Sequence, residues 1–257
     1  MDMNKVRQAL LEGKVTIGTW IQINHPVVSE ILGNCNFDWI AADCEHTDID
    51  VEGFTRIARG MYGRGPEPFV RVRENDTLAI RQVLDAGARG VIVPLVESAE
   101  EAKRAVTATK FPPAGIRGFS FCRSNNYGRD FDDYARQANQ DIAVVVMIES
   151  KKAIDRIDDI LDVEGVDGVF IGPYDLSGSY GIPGKTGNVA VQKGCQKVLQ
   201  ACRRAKKSAG LHIVMPDPAN IKSAIEDGFT FIAVGADIVF LNQASRNALC
   251  EVSKFID

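Results

Sequence analysis

Two carboxylates, Glu149 and Asp175, stand at positions where an acidic side chain needs a partner. Glu149 ends the apolar run "AVVVMIE", and Asp175 follows the next apolar run along the chain. An ionised carboxylate at the end of a buried strand must be neutralised or meet a cation. Carboxylate oxygens, with positions left open for water and substrate, are typical of Mg²⁺ and Mn²⁺ sites. Two hypotheses stay open at this point: a divalent cation binds the pair, or Glu149 forms a salt bridge with Arg117 or Arg123.

His46 and Arg71 are the next candidates. His46 is one of three histidines and lies in "DCEH", directly after an apolar run. An imidazole there can be a general base, a metal ligand or a structural group, and its position at a strand end favours catalysis. Arg71 lies within the apolar "FVRV" and must point at a carboxylate, a phosphate or the polar end of a barrel, of which we favour the last. We expect His25, at a helix start, and His212, which opens a predicted strand, to be structural.

These residues are positioned by a regular alternation of short apolar runs with segments of helical period. The runs cover residues 16–23, 37–43, 68–72, 90–96, 142–149, 168–172, 211–216 and 229–235. Continuous apolar runs are typical of parallel strands buried on both faces. Eight strand–helix units in 257 residues predict a single α/β domain over residues 1–257, a (β/α)₈ TIM barrel. A doubly wound open sheet is the alternative.

In a TIM barrel the reactive side chains follow the C-terminal ends of the strands. Besides the candidates above, five charged residues occupy such positions: Asp43, Glu45, Arg73, Asp217 and Asp237. One connection interrupts the alternation, the proline- and glycine-containing residues 111–130. Connections of this length in a compact domain are usually functional or disordered.

Composition excludes several classes of partner. The net charge of −4 and the pI near 5.5 argue against nucleic acid and anionic membranes, and leave a small ligand. Six cysteines without metal-type spacing indicate reduced thiols, and we find neither a signal peptide nor a membrane span, so we expect a soluble, cytoplasmic protein. "SYGIPGKT" lacks the first glycine of a phosphate loop, since that position is Ser179. Nothing indicates NAD or ATP.

Several motifs, in this order, resemble the HpcH/HpaI aldolase family. They are "DCEH", "FVRV", "PPAGIRG", "MIES", "VDGVFIGPYDLS" and "FIAVGAD". The family comprises class II, metal-dependent pyruvate aldolases of the 4-hydroxy-2-oxoheptanedioate aldolase type. The resemblance spans nearly the whole chain and implies a TIM barrel of the phosphoenolpyruvate/pyruvate type.

The resemblance implies a metal site and a substrate site. Glu149 and Asp175 would hold Mg²⁺, Mn²⁺ or Co²⁺, to which pyruvate binds through its keto and carboxylate oxygens. The turn that contains Gly172, Tyr174 and Asp175 would bind the substrate carboxylate through its backbone amides.

The resemblance also assigns the remaining roles. Arg71 would stabilise the enolate oxygen, and His46 would be the base. A family aspartate credited with raising the basicity of the histidine corresponds to Asp85, which our helix prediction puts at the far end of its own barrel. Either a neighbouring subunit supplies Asp85, or Asp43 is the alternative within the same chain. Many family members contact the substrate through a glutamine where this chain has Met147, whose thioether cannot donate a hydrogen bond.

The expected function is therefore divalent-metal-dependent cleavage of a 4-hydroxy-2-oxo acid to pyruvate and an aldehyde through a metal-bound enolate. The substrate would be 2,4-dihydroxyhept-2-ene-1,7-dioate or a keto-deoxy sugar acid. Met147 motivates an alternative, an oxaloacetate decarboxylase or another carbon–carbon bond-forming enzyme resembling macrophomate synthase or citrate synthase. A binding barrel without turnover is a third hypothesis. The apolar final helix suggests a homo-oligomer, and the resemblance implies a trimer of dimers whose C-terminal helices are exchanged between subunits.

Overall fold

Eight parallel strands close into a barrel in the computed structural model, which describes residues 3–253 and residue 255. Each strand pairs with the next in chain order, and β8 pairs with β1. The strands are β1 Thr16–Ile21, β2 Trp39–Asp43, β3 Glu67–Arg71, β4 Gly90–Val93, β5 Ala143–Ile148, β6 Gly168–Ile171, β7 Ser208–Ile213 and β8 Phe231–Ala236. The TIM barrel is confirmed, and the open sheet is wrong.

Helices surround the barrel, and most of them begin at a side-chain cap. The described part of the chain contains α1 Lys5–Glu12, α2 Pro26–Gly33, α3 Val51–Gly60, α4 Thr77–Asp85, α5 Ala99–Thr109, α6 Phe131–Asp141, α7 Lys151–Asp155, α8 Ile157–Leu161, α9 Pro173–Ser179, α10 Val189–Ala205, α11 Pro218–Glu226 and α12 Asp237–Ser253. Asp50, Asp76 and Ser98, for example, accept hydrogen bonds from backbone N–H groups in the first turns of α3, α4 and α5.

Strand β7 begins three residues earlier than its apolar run, at Ser208 instead of Leu211. Its first residues are small and lack the apolar signal of the other strands, yet their backbone pairs with β6. The Ser208 hydroxyl also donates to the carbonyl of Leu10, at 2.9 Å. The earlier start places His212 next to the end of β7, so the prediction that this histidine opens the strand is wrong.

The barrel interior is filled by large rings and closed at one end. Trp39 stacks on Phe231 with ring centroids 4.1 Å apart, and Trp20 meets Phe170 edge to face. Val6 and Leu10 of α1 belong to the same buried cluster and cover the N-terminal ends of the strands, which we call the closed end. Space for a ligand therefore lies at the opposite end, the barrel mouth, formed by the C-terminal ends of the strands.

The connection over residues 111–130 packs at the closed end. It contains a 3-10 turn over Arg123–Gly128, and Phe111 stacks on Phe119 with centroids 4.2 Å apart. The Arg123 guanidinium donates to the carbonyls of Ala58 and Ala86, at the C-terminal ends of α3 and α4. This segment therefore lies away from the mouth of its own barrel.

Helix α12 makes little contact with its own barrel. Of its seventeen residues only Asp237 is buried, whereas Leu241 and Leu249 are 61% and 70% exposed. Exchange of this helix between subunits stays a prediction. Among the described residues, no helix combines the length and the apolar character required to cross a membrane.

Candidate active site

Arg71 is held in the mouth by a buried ion pair with Asp43. The guanidinium donates from Nε and Nη2 to the two Asp43 oxygens, at 2.9 and 2.7 Å, and lies 4.8 Å from the centre of the Trp20 ring. Gln22 donates a further hydrogen bond to Asp43, at 2.9 Å. Burial raises the pKa of Asp43, but the hydrogen bonds and positive charge of Arg71, with Gln22, outweigh it and lower the pKa overall. Asp43 is thus a fully buried carboxylate that fixes the position of Arg71.

The carboxylate beside the His46 imidazole is Glu45 and not Asp43. His46 Nε2 lies 3.4 Å from Glu45 Oε2, and Asp43 meets only the backbone N–H of His46. Glu45 also lies 3.2 Å from Arg71 Nη1. Burial raises the pKa of Glu45 against the opposing charge of Arg71, and the negative charges of Asp43 and Asp175 raise it further. The sequence placed Glu45 at a strand end but assigned it no role.

Glu149 projects into the mouth from the end of β5. It is 5% exposed, and one of its oxygens accepts a hydrogen bond from the backbone N–H of Leu95 at 2.7 Å. Leu95 adopts φ +55°, a left-handed conformation that directs this N–H toward the carboxylate. Burial raises the pKa of Glu149 to about 7, and the neighbouring charges of Glu45 and Asp175 add to the shift. The negative charges of Glu45 and Asp175 therefore act on a Glu149 carboxylate that is poorly accessible to water.

The hypothesis that Glu149 pairs with Arg117 or Arg123 is wrong. Arg117 is buried at the closed end, where Nη2 meets Asp85 at 2.7 Å and the guanidinium covers the Phe111 ring at 4.7 Å. Arg123 donates to backbone carbonyls instead. Both arginines belong to the irregular connection after α5, which the topology carries to the opposite end from Glu149.

Asp85 ends α4, and this helix runs from the mouth to the closed end. The structure therefore separates Asp85 from the His46 of the same chain by the height of the barrel, as the helix prediction required. Its carboxylate pairs with Arg117 and is 24% exposed. A catalytic role for Asp85 would depend on a second subunit, and this assignment stays a prediction.

Asp175 and Gly172 complete the site on the next strand. Gly172 follows β6, and a Cβ built on it would lie 2.9 Å from Glu149 Oε2. Pro173 opens α9, Asp175 lies exposed in its first turn, and Tyr174 is 60% exposed. Asp175 follows three residues after Gly172, which packs against Glu149, and its negative charge raises the pKa of both Glu45 and Glu149. The structure thus brings the two predicted metal ligands together.

The donors present fit a hard divalent cation. Glu149 and Asp175 supply carboxylate oxygens, and burial with the neighbouring negative charges raises the pKa of Glu149, a penalty that a bound cation would remove. Within the part of the chain that the structure describes, no group of three or more His, Cys, Asp or Glu side chains is arranged to hold a metal ion alone. A site of two protein carboxylates, completed by water and substrate oxygens, matches both observations.

The floor of the mouth contains Met147, Trp20 and His212. Met147 is buried in the interior cluster, two residues before Glu149 on the same face of β5. The His212 ring lies 5.9 Å from the Trp20 ring, and its Nε2 is 2.9 Å from the carbonyl of Gly235. Burial lowers the pKa of His212 to about 4, and the positive charge of Arg71 adds to the shift. These contacts hold the ring in place, and the structural role of His212 stays a prediction.

The other strand-end candidates either form structural hydrogen bonds or lie outside the mouth. Asp217 caps α11 through Ala219 N, and Asp237 accepts hydrogen bonds from the backbone N–H groups of Gln22 and Ile23. His25 caps α2, with Nδ1 accepting from Val27 N at 3.2 Å, which confirms its structural role. Arg73 is exposed beyond β3.

Known proteins resemble this chain in both sequence and fold. The profile of the HpcH/HpaI aldolase/citrate lyase family matches residues 16–244. The 5-keto-4-deoxy-D-glucarate aldolase of Shigella sonnei (strain Ss046) is 37% identical over 243 residues, which cover 95% of this chain and 94% of that protein. A crystal structure of an HpcH/HpaI aldolase/citrate lyase family protein from Burkholderia cenocepacia J2315 is 32% identical, with a TM-score of 0.93 over 97% of this chain and 99% of that chain. The crystal structure of citrate synthase SbnG is 27% identical, with a TM-score of 0.87 over 98% of each chain. The chain therefore belongs to the HpcH/HpaI aldolase/citrate lyase family.

Proposed function

We propose that this protein is a divalent-metal-dependent aldolase that cleaves a 4-hydroxy-2-oxo acid to pyruvate and an aldehyde. The observation that carries the proposal is the convergence of Glu149, Asp175 and Arg71 at one end of the barrel. The relative at 37% identity is named 5-keto-4-deoxy-D-glucarate aldolase, which favours a keto-deoxy sugar acid over a heptenedioate as substrate.

Glu149 and Asp175 would hold the cation, with Mg²⁺, Mn²⁺ and Co²⁺ as the candidates. When bound, a divalent ion supplies a Lewis acid for the oxygens of the 2-oxo acid. The hydrogen bond from Leu95 fixes the orientation of the Glu149 carboxylate and leaves its second oxygen facing the Gly172 side. The chain thus orients the carboxylate before substrate binds.

Arg71 would stabilise the charge that develops on the substrate. Cleavage of the carbon–carbon bond leaves an electron pair on the three-carbon half, which becomes an enolate. A guanidinium held in place by Asp43 interacts more strongly with that anion than with the neutral ketone, so it lowers the barrier. Gln22 and the Trp20 ring restrict its movement from two further sides.

His46 would take the proton from the C4 hydroxyl when the bond breaks. Its side chain is 59% exposed at the rim, where a substrate hydroxyl can reach it. Glu45, beside Nε2, would stabilise the imidazolium that forms, because an adjacent negative charge favours the protonated ring. The residue that supports the base would then be Glu45, with Asp85 of a neighbouring subunit as the alternative.

A second candidate function is decarboxylation of oxaloacetate or a related condensation. The buried Met147 thioether offers the substrate no hydrogen-bond donor, and this observation favours a departure from aldol cleavage. In that reaction Arg71 and a cation suffice, because no hydroxyl proton has to be removed. The His46→Ala variant distinguishes the two functions: it would retain decarboxylation and lose aldol cleavage.

The test measures pyruvate released from 5-keto-4-deoxy-D-glucarate after treatment of the protein with a chelator and after addition of Mn²⁺. We expect chelation to stop release and Mn²⁺ to restore it. The Glu149→Gln variant should bind Mn²⁺ at least roughly tenfold more weakly, as electron paramagnetic resonance of free Mn²⁺ would report. Turnover that is insensitive to chelator would rule out the metal role.

We also propose a homo-oligomer, a trimer of dimers, with no nucleic-acid or membrane partner. The exposed apolar residues of α12 and the separation of Asp85 from His46 support it. A cytoplasmic location stays a prediction from composition.

A further inference from the structure

His212 points into the barrel, where no role has been assigned to it. Its neighbours on β7, Leu211 and Ile213, pack into the aliphatic layer outside the strands. Successive side chains of a strand point to opposite faces, so His212 faces inward. The contact between its ring and Trp20, at 5.9 Å, agrees with this direction.

The register of the strands places His212 in one row with the proposed metal ligand. Ile148 pairs with Ile171, and Ile171 pairs with Leu211. The next residues on these three strands are Glu149, Gly172 and His212, so they follow one another around the barrel. Gly172 has no side chain, so in this row no side chain stands between the carboxylate of Glu149 and the imidazole of His212.

The protonation state of the ring follows from its partner. A carbonyl oxygen only accepts hydrogen bonds, so the 2.9 Å contact with Gly235 puts a proton on Nε2. Burial lowers the pKa of the ring to about 4, so it is neutral at pH 7 and Nδ1 carries a lone pair. In the described part of the chain, the bond to Gly235 is the one hydrogen bond that the structure gives this ring.

We propose that His212 is a specificity-determining residue whose Nδ1 accepts a hydrogen bond from a hydroxyl group on the aldehyde half of the substrate. The proposal rests on the aldolase function above. Pyruvate offers only keto and carboxylate oxygens, which are acceptors and cannot donate to Nδ1. A hydroxyl group on the aldehyde half of the substrate can donate a hydrogen bond to Nδ1. His212 therefore selects polyhydroxylated aldehydes, such as those derived from sugar acids, over deoxygenated ones.

The experiment compares two three-carbon aldehydes, glyceraldehyde and propanal, as acceptors for pyruvate. The ratio of their kcat/KM values is measured for the wild type and for His212→Leu, His212→Asn and His212→Gln. Asparagine places an oxygen near the position of Nδ1, whereas glutamine places its amide nitrogen near Nε2, where it can donate to Gly235, and has no acceptor at the position of Nδ1. One lost hydrogen bond predicts a ratio roughly tenfold lower in the Leu and Gln variants. The Asn variant should stay within roughly threefold of the wild type.

A separate measurement distinguishes this proposal from the aldolase function. Exchange of the pyruvate methyl protons in D₂O, followed by NMR, reports enolate formation without any aldehyde. If the wild type shows no exchange, the aldolase function fails first. If the wild type exchanges and all variants keep the wild-type aldehyde ratio, the specificity role is overturned. It is also overturned if a folded His212 variant loses methyl exchange, because the residue would then act on the pyruvate half. The His25→Asn variant, which keeps the α2 cap, is the matched histidine control.

Discussion

Arg71 depends on Asp43 more than on any other side chain in the mouth. The ion pair is bidentate, and Asp43 is fully buried while Arg71 is 13% exposed. Removal of one partner of a buried pair leaves an uncompensated charge, which is more costly than the loss of an exposed pair. A buried carboxylate therefore sets the position of the Arg71 guanidinium, the group that would meet the substrate under the proposed function.

We expect Asp43→Ala to lower the free energy of unfolding by about 3–5 kcal/mol and to abolish turnover. Urea denaturation followed by circular dichroism gives the first value, and pyruvate release gives the second. Glu52→Ala is the control, because Glu52 forms an exposed pair with Arg56 on α3 and should cost less than about 1 kcal/mol. Equal losses in the two variants would contradict the role of Asp43.

His212 predicts a specific acid sensitivity. Its pKa is about 4 in the folded protein and 6.5 as the ordinary value, so below pH 6.5 the unfolded chain binds the proton more readily. Its contribution to stability is full above pH 6.5 and is lost as the pH falls toward 4. The difference between the two pKa values corresponds to about 3 kcal/mol in the free energy of unfolding.

The measurement is the free energy of unfolding at pH 7 and at pH 4 for the wild type and for His212→Gln. Carboxylates contribute equally to both proteins, so the difference between them isolates His212. We expect the wild type to lose more stability than the variant over this interval. An identical loss in the two proteins would show that the imidazole is not held neutral by the fold.

At the scale of elements, the turn from β6 into α9 brings Asp175 next to Glu149. This turn can pack against the end of β5 because Gly172 has no side chain that would collide with the Glu149 carboxylate. The short helix α9 carries a second glycine, Gly178, whose Cβ would meet nothing within 4 Å. An alanine at Gly178 is therefore a suitable control for an alanine at Gly172.

We expect Gly172→Ala to weaken Mn²⁺ binding and kcat/KM by at least roughly tenfold, because the new methyl group displaces the Glu149 carboxylate. Gly178→Ala should leave both quantities within about twofold of the wild type. Mn²⁺ titration and pyruvate release provide the two readouts. If Gly172→Ala leaves Mn²⁺ binding and kcat/KM as little changed as Gly178→Ala does, neither metal binding nor catalysis depends on the observed position of Glu149.

For the molecule as a whole, the apolar helix α12 predicts association. Leu241 and Leu249 are exposed in the single chain, and exposed apolar surface of this kind marks protein contacts. We expect sedimentation equilibrium to give a mass several times that of one chain. The double variant Leu241→Glu, Leu249→Glu should reduce that mass while the circular dichroism of the barrel is kept.

The control for this experiment is Gln243→Glu, which adds a charge to an exposed polar position of the same helix. It should leave the mass unchanged. A wild type that sediments as a monomer would remove the proposed oligomer and, with it, any contribution of Asp85 from a neighbouring subunit.

The periodicity of the chain determined the barrel, because parallel strands buried on both faces require continuous apolar runs. Position at strand ends also marked Glu149, Asp175, Arg71 and His46 as candidates, since every such end opens on the same mouth. The start of β7 was predicted three residues too late, because its small first residues carry no hydrophobic signal. The prediction therefore put His212 at the start of the strand and not next to its end.

Only the tertiary structure decided which charges meet. Pairing between Arg71 and Asp43, and between Arg117 and Asp85, joins strands and loops 28 and 32 residues apart, a separation that no local pattern encodes. The contact of His46 with Glu45 instead of Asp43 depends on the conformation after β2. Sequence pattern specifies which residues are buried and in which element, whereas the partner of a buried charge is specified by how those elements pack.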